Sequence, residues 1–400
     1  MYKTGSTGRI VSSLFDYAQQ MEDDPYIIYG IGSRTQDPHV FRNAPWGVRK
    51  LQSFRSRITG FPYGGCIWGT INTLRLIKRI KPDIVHLHCI NGYMVNIYKL
   101  LTFLKENSIP TVITNHAEFM FTGGCTHSVD CEKWLTGCHE CDKLNKEHPI
   151  TYFFDNTSKE WNRLKKAYEG FQNLSICCVS DWARDRAARS PFFRNAPVKT
   201  VLNGIDTAVY YRRDATELRN RLMPEGNPIV IHVTANFYDC IKGGQHVIEM
   251  AKRMPEVNFI VIGSEAKEEM PKNCRFLGRV GDQNLLAQYY SMADVCLLTS
   301  VRETFSMVCA ESLCCGTPVV GFMSGGPESI ALTEFSSFVK QGDDDALEAS
   351  LRSFLKLQVD RTVISENALR VYGKKTMCSA YYQIYQDLLQ VQKALRIERE

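Results

Sequence analysis

Three observations predict two doubly wound α/β domains from this sequence. Short runs of β-branched and other apolar residues alternate with helical patterns along most of the chain. These runs are apolar throughout, as strands are when a parallel sheet is covered on both faces. They are also too numerous for one ordinary sheet, and 400 residues suit two domains better than one.

In chain order, a helical pattern over residues 10–20 follows Gly5-Ser6-Thr7-Gly8, with Thr7 placed to cap it. Strands are expected at 26–30, 84–88, 111–115, 175–179 and 199–202, with helices at 92–105 and 159–169 between them. Asn203-Gly204-Ile205-Asp206, the polar stretch 211–227 and Pro228 mark a boundary. Strands then follow at 229–233, 258–262, 275–277, 294–298 and 318–321, with helices at 245–253 and 283–292. The last pattern, 377–400, carries apolar Tyr381, Ile384, Leu388 and Val391, as a helix would if it crossed back onto the first domain. The expected division is 1–206, 207–376 and 377–400. No internal repeat or low-complexity tract interrupts it.

A hydrophobic share of 44% and a charged share of 23% describe a chain with a packed core. The net charge of +5 is too weak for a nucleic-acid partner and suits anionic small molecules or an acidic membrane surface. No run reaches ~18 apolar residues, and the opening Met1-Tyr2-Lys3-Thr4 resembles no secretion signal. A cytoplasmic protein is expected. Of the fifteen cysteines, Cys177, Cys178, Cys296, Cys309, Cys314 and Cys315 lie in apolar runs and read as small buried hydrophobes.

Three segments are candidates for binding an anion. Gly5–Gly8 opens a helix, where small residues let backbone amides approach a phosphate. Such a turn normally follows a buried strand, so the first strand is expected to be absent, or the true start to lie upstream. Asp239-Cys240-Ile241-Lys242-Gly243-Gly244 joins a strand to a helix and sets an ammonium beside the helix opening. A solvated loop lysine is the other reading of Lys242. Val301-Arg302-Glu303-Thr304-Phe305-Ser306 follows a third strand, with Glu311 eight positions after Glu303. At about 100° per residue one helix would hold these two acids about 80° apart. Glu303 is therefore expected in the loop at the strand's carboxyl end and Glu311 two turns down the helix. Ligands bind open α/β sheets at that edge.

Glu303-Thr-Phe-Ser-Met-Val-Cys-Ala-Glu311, followed by Gly316-Thr-Pro, resembles the E-x7-E signature of retaining glycosyltransferases of family 4. The Lys242-Gly243 loop, Asn203-Gly-Ile-Asp206 and Ser324-Gly-Gly-Pro-Glu328 fit that family in order and spacing. The resemblance implies the GT-B fold, two Rossmann-like domains facing a cleft, and transfer of a sugar from a nucleotide diphosphate donor. It implies that Glu303 holds donor hydroxyls, Glu311 the ribose, and Lys242 the diphosphate, without a catalytic metal. It gives the amides of Thr304, Phe305 and Ser306 the charge building on the leaving phosphate, and Gly5, Ser6, Thr7 and Gly8 the acceptor side. Relatives often carry an arginine roughly where Asn236 or Ile241 stands, so donor binding is expected to lean on Lys242, with Asn236 and Gly243 beside it.

His116, at the end of the strand 111–115, lies near the transferred sugar in relatives; a structural strand-end histidine is the other reading. His86 reads as core and His88 as an edge residue. In the insertion 123–142, Cys125, Cys131, Cys138 and Cys141 crowd together, and the last pair has C-x2-C spacing. Structural zinc, redox or disulfide-bonded cysteines and four unligated thiols all stay open, and His127 and His139 could substitute as ligands. A similar insertion occurs in a subset of bacterial transferases that build capsule, exopolysaccharide or O-antigen. By that likeness the acceptor would be a lipid-linked oligosaccharide at the inner membrane face. Arg49, Lys50, Arg55, Arg57 and Lys78, Arg79, Lys81 either touch that membrane or form an ordinary solvated face. The rival readings are a nucleotide-sugar epimerase of the same fold and a non-catalytic nucleotide-sugar binder.

Overall fold

A computed structural model describes residues 2–32, 34–144, 151–223 and 225–397. It divides into two compact units, Met1–Val201 with Cys378–Glu400, and Leu202–Met377. The sequence had suggested boundaries at 206/207 and 376/377. The stretch around Ile205 stays with the second unit because its amide donates to the Tyr372 carbonyl at 2.6 Å and Asp206 pairs with Lys374 at 2.7 Å.

The first unit holds strands β1 (Ile27–Tyr29), β2 (Val40–Arg42), β3 (Val85–His88), β4 (Thr111–Asn115), β5 (Leu174–Cys178) and β6 (Val198–Thr200). β3 to β6 form a parallel sheet in sequence order, and β1 pairs with β2 in a separate parallel ribbon. β4 and β5 are buried along their whole length, consistent with their unbroken apolar pattern. β1 and β3 do not pair with each other. An apolar cavity lined by Ile27, Ile28, Ile77, Val85, Leu87 and Met94 lies between them. The first helix runs Gly5–Gln20, so it opens five residues before the predicted 10–20. Its N-cap is Thr4; Thr7, expected as the cap, is instead buried inside the first turn, with its hydroxyl 3.5 Å from Cys89 Sγ. The last helix, Lys374–Ile397, buries Cys378, Tyr381, Ile384 and Leu388 in this unit. Tyr381 and Tyr385 hydroxyls meet Thr114 at 2.9 Å and His86 at 2.7 Å.

The second unit is a single six-stranded sheet, every strand parallel to its neighbours: β7 (Ile229–Val233), β8 (Asn258–Ile262), β9 (Cys274–Phe276), β10 (Val295–Leu298), β11 (Val319–Phe322) and β12 (Ser336–Val339). Their spatial order is β12-β11-β10-β7-β8-β9. Counted within the unit this is 6-5-4-1-2-3, so the winding reverses between β7 and β10. Ligands of open α/β sheets bind at the carboxyl side of such a switch point. β2 and β12 were not predicted. β2 is three residues long, and β12 opens on Ser336-Ser337 at a sheet edge, so neither has an apolar run to betray it.

Candidate active site

The loops leaving β7 and β10 on either side of the switch point bring two of the predicted residues into contact. Lys242 Nζ donates to Glu303 Oε1 at 2.6 Å across 61 positions of sequence. Backbone bonds fix both ends. The Thr299 hydroxyl donates to the Lys242 carbonyl at 3.0 Å, and the Val301 amide to the Ile241 carbonyl at 2.8 Å. Glu303 is held through its own backbone, donating to Ser324 O at 3.0 Å and accepting from Gly326 N at 2.8 Å.

Two glycines make this closeness possible. Gly243 sits at φ 66°, and a Cβ there would lie 2.1 Å from the Thr299 carbonyl oxygen. A Cβ on Gly326 would lie 2.4 Å from the Thr304 carbonyl carbon. The turn 324–326 is shaped by a residue the sequence reading had left without a role. The Glu328 carboxylate accepts Ser324 N at 3.0 Å and Gly325 N at 2.7 Å.

Thr304, Phe305 and Ser306 close this loop just before the helix Met307–Cys314. Ser306 is its N-cap, at φ 75°, an uncommon conformation for a non-glycine residue. Its hydroxyl accepts the Cys309 amide at 3.3 Å. The anion-favouring end of that helix thus opens beside Glu303. Glu311 lies on the helix, buried, and accepts a hydrogen bond from Tyr290 Oη at 3.3 Å. As expected from the spacing, Glu303 is in the loop and Glu311 in the helix. Asn236 is exposed, donating to Asp239 at 3.2 Å within the β7 loop.

His116 belongs to the first unit, at the carboxyl end of β4. Its Nε2 lies 3.0 Å from His88 Nδ1, and His86 Nε2 lies 2.8 Å from Thr114 Oγ1. Burial pushes His116 down to about 4 and His86 to about 3, and holds His88 well below the ordinary histidine value. All three rings are neutral near pH 7, and burial makes each resist protonation. Gly5, Ser6, Thr7 and Gly8, expected as an acceptor-side loop, form the first turn of a helix in this same unit.

Cys125, Cys131, Cys138 and Cys141 line one small cavity with Trp134 and Thr157. The cavity is anchored from below: Trp134 donates to Cys131 O at 2.8 Å, and Trp161 to Trp134 O at 2.8 Å. Buried Glu118 accepts from Arg186 and from the Ser128 amide. The hydrogen bond to Cys141, then burial, push the Cys125 thiol well up, while the same bond brings Cys141 down to about 7. The Gly123 amide donates to Cys138 Sγ at 3.2 Å, yet burial pushes that thiol up to about 12. Among the described residues no three His, Cys, Asp or Glu side chains stand at the spacing of a metal site.

A family model described as Glycosyltransferase Family 4 matches residues 8–209, and one described as Glycosyl transferases group 1 matches residues 214–371. N-acetyl-alpha-D-glucosaminyl L-malate synthase of Bacillus anthracis is 30% identical over half of this chain and 56% of its own length. The chain thus spans little more than half of that relative. The colanic acid biosynthesis glycosyl transferase WcaC of Escherichia coli is 21% identical over 96% of this chain and 97% of its own length. Among solved structures, sucrose-phosphate synthase from Thermosynechococcus elongatus superposes with a TM-score of 0.66 at 16% identity, over 97% of this chain and 94% of that one. Anabaena HepE in complex with UDP does so at 0.62 and 15%, over 96% and 98%. The fold is that of GT-B glycosyltransferases, and the chain belongs to glycosyltransferase family 4.

Proposed function

We propose that this chain is a retaining glycosyltransferase moving a sugar from a nucleoside diphosphate donor to a glycan acceptor in surface polysaccharide assembly. The observation that carries this reading is the Lys242–Glu303 pair at the switch point, beside a helix opening. With no donor, each charge offsets the other. A donor diphosphate would take over the ammonium, leaving Glu303 to accept hydrogen bonds from sugar hydroxyls, while Glu311 meets the ribose. As the bond from the anomeric carbon to the diphosphate breaks, its electron pair passes to the phosphate oxygen. Lys242 and the amides of Thr304–Ser306 would hold that charge, so the transfer needs no divalent ion. The acceptor oxygen bonds to the anomeric carbon on the face the diphosphate leaves, and its proton passes to the departing phosphate oxygen. Neutral His116 would orient the acceptor hydroxyl or the donor. Structural neighbours solved with UDP and with UDP-glucose support a uridine donor.

The likeness to WcaC supports an exopolysaccharide, and with it a lipid-linked oligosaccharide acceptor at the cytoplasmic membrane face. For the four cysteines we propose a structural zinc, seated by side-chain rotation about their shared cavity.

The test is a thermal-shift and turnover screen of UDP-, GDP- and dTDP-sugars in EDTA, with wild type, Glu303→Ala and Lys242→Ala. One donor should shift the wild type and release nucleotide slowly. Both variants should lose turnover, and the product's anomeric proton should keep the donor's configuration by NMR. Inversion would overturn the retaining mechanism. Conversion of the donor to its epimer without acceptor would instead show an epimerase, and binding without turnover on any acceptor a non-catalytic binder.

A further inference from the structure

The helix Trp46–Thr59 is inside out. It buries Gln52 and Ser56 and leaves Leu51 (69% exposed), Phe54 and Ile58 in solvent. Those three stand at i, i+3 and i+7, one stripe of a helix. The next helix, Ile67–Ile80, repeats the inversion in its first turns, burying Gly69, Thr70 and Thr73 while exposing Ile67, Trp68 (69%) and Ile71. Its polar face is committed to the protein: Asn96 N donates to Thr70 Oγ1 at 2.8 Å, and Gly69 packs against the Met94 carbonyl. A third piece, Tyr152-Phe153-Phe154, is also exposed and is tied to the first helix. The Tyr152 amide donates to Arg57 O at 2.7 Å, and Asn156 to Thr59 O at 2.8 Å. An isolated exposed apolar residue is ordinary, but an apolar stripe over a buried polar one is not.

The charge along the segment that carries both helices is one-sided. From residue 38 to residue 82 there are nine Lys or Arg and no Asp or Glu, more than the whole chain's excess of five. Arg49, Lys50, Arg55 and Arg57 share the first helix with the apolar stripe, and Lys50 lies 3.9 Å from the Trp46 ring centroid. Aromatic and aliphatic side chains among basic residues match an anionic bilayer, with the apolar groups entering the acyl boundary and the cations meeting lipid phosphates.

We propose that the exposed face of Trp46–Thr59, Ile67–Ile71 and Tyr152–Phe154 is a docking surface for an anionic phospholipid membrane. It gives a purpose to the lipid-linked acceptor proposed above, but binding is measurable without donor or acceptor, so either reading can fail alone. The experiment is cosedimentation of the full chain with phosphatidylcholine vesicles, with and without 30% phosphatidylglycerol, at rising salt. Binding is expected only to the anionic vesicles, and should weaken steeply with salt. Arg49→Ala/Arg55→Ala should lower partitioning roughly thirtyfold, at about fivefold per basic residue. Leu51→Ser/Phe54→Ser/Trp68→Ser should abolish it, with an unchanged melting temperature and unchanged donor-induced thermal shift. No binding to anionic vesicles, or equal binding to neutral ones, overturns the proposal. So does sedimentation showing that the wild type dimerises and the triple variant does not, since a second copy would then cover the face.

Discussion

The two units solve the problem of polar groups in a sheet protein in opposite ways. In the second, charge is compact and cancelled: Lys242 meets Glu303, and Glu328 holds two amides of one turn. In the first, three neutral histidines crowd the carboxyl ends of β3 and β4, while basic charge and apolar surface are displayed together on two helices. The second unit gathers an opposed charge pair beside a helix opening. The first combines buried neutral imidazoles with a broad apolar and basic surface. Chemistry confined to one unit and recognition to the other is the lesson the contrast suggests.

Breaking the compact side should have the largest effect. Glu303→Ala and Lys242→Ala are each expected to lower turnover about 10²–10³-fold. The double variant should fall little below the worse single, since each single change strands the other charge. Full additivity in a double-mutant cycle would separate the two residues. Gly243→Ala is next: strain at φ 66° and the clash with Thr299 should cost about 2–4 kcal/mol in a urea titration.

Acid sharpens the comparison. Unfolded histidines take up protons below about 6.5, while His86 and His116 resist until about 3 and about 4 and His88 lies well below its ordinary value. The unfolded state then binds more protons, so stability is full above about pH 6.5 and drains as the pH falls toward 4. Among the described residues the second unit has one comparable group, His232, held at about 4 by burial. All five tryptophans, at 46, 68, 134, 161 and 182, lie in the first unit, so their fluorescence reports it alone. That signal should be lost at a higher pH than amide-exchange protection in β7 and β10. Simultaneous loss would deny the difference.

Zinc analysis of protein purified without chelator should find about one ion per chain, with release on thiol modification and loss in Cys138→Ser/Cys141→Ser. Four freely titrating thiols and no metal would leave the cavity a packing feature. The smallest effect belongs to Gly47→Ala on the exposed helix, where a new Cβ meets nothing within 4 Å. It should be neutral or stabilising by up to about 1 kcal/mol in the same titration.

Much of the second unit was legible because most of its strands are largely apolar and its loops hold the turn residues, so that Lys242 and Glu303 could be named from their neighbours. Their contact was not legible, since it depends on β10 lying beside β7 rather than on anything near either residue. The inverted helix Trp46–Thr59 was read only as a run of positive charge. Periodicity locates an apolar stripe but assumes that the stripe faces inward. Thr7 was misplaced for a local reason: Gly5 and Ser6 join the helix, moving the cap back to Thr4.

The last helix carries a consequence for how the chain is made. The second unit, Leu202–Met377, is continuous, whereas the first lacks Tyr381, Ile384 and Leu388 until the segment from Cys378 onward is synthesised. At ~5–20 residues per second, roughly ten to thirty-five seconds separate the end of the first segment from the arrival of that helix. Residues 1–201 therefore precede the second unit in synthesis, while their unit is completed after it. During that interval His86 and Thr114 lack the Tyr385 and Tyr381 hydroxyls they meet in the finished fold.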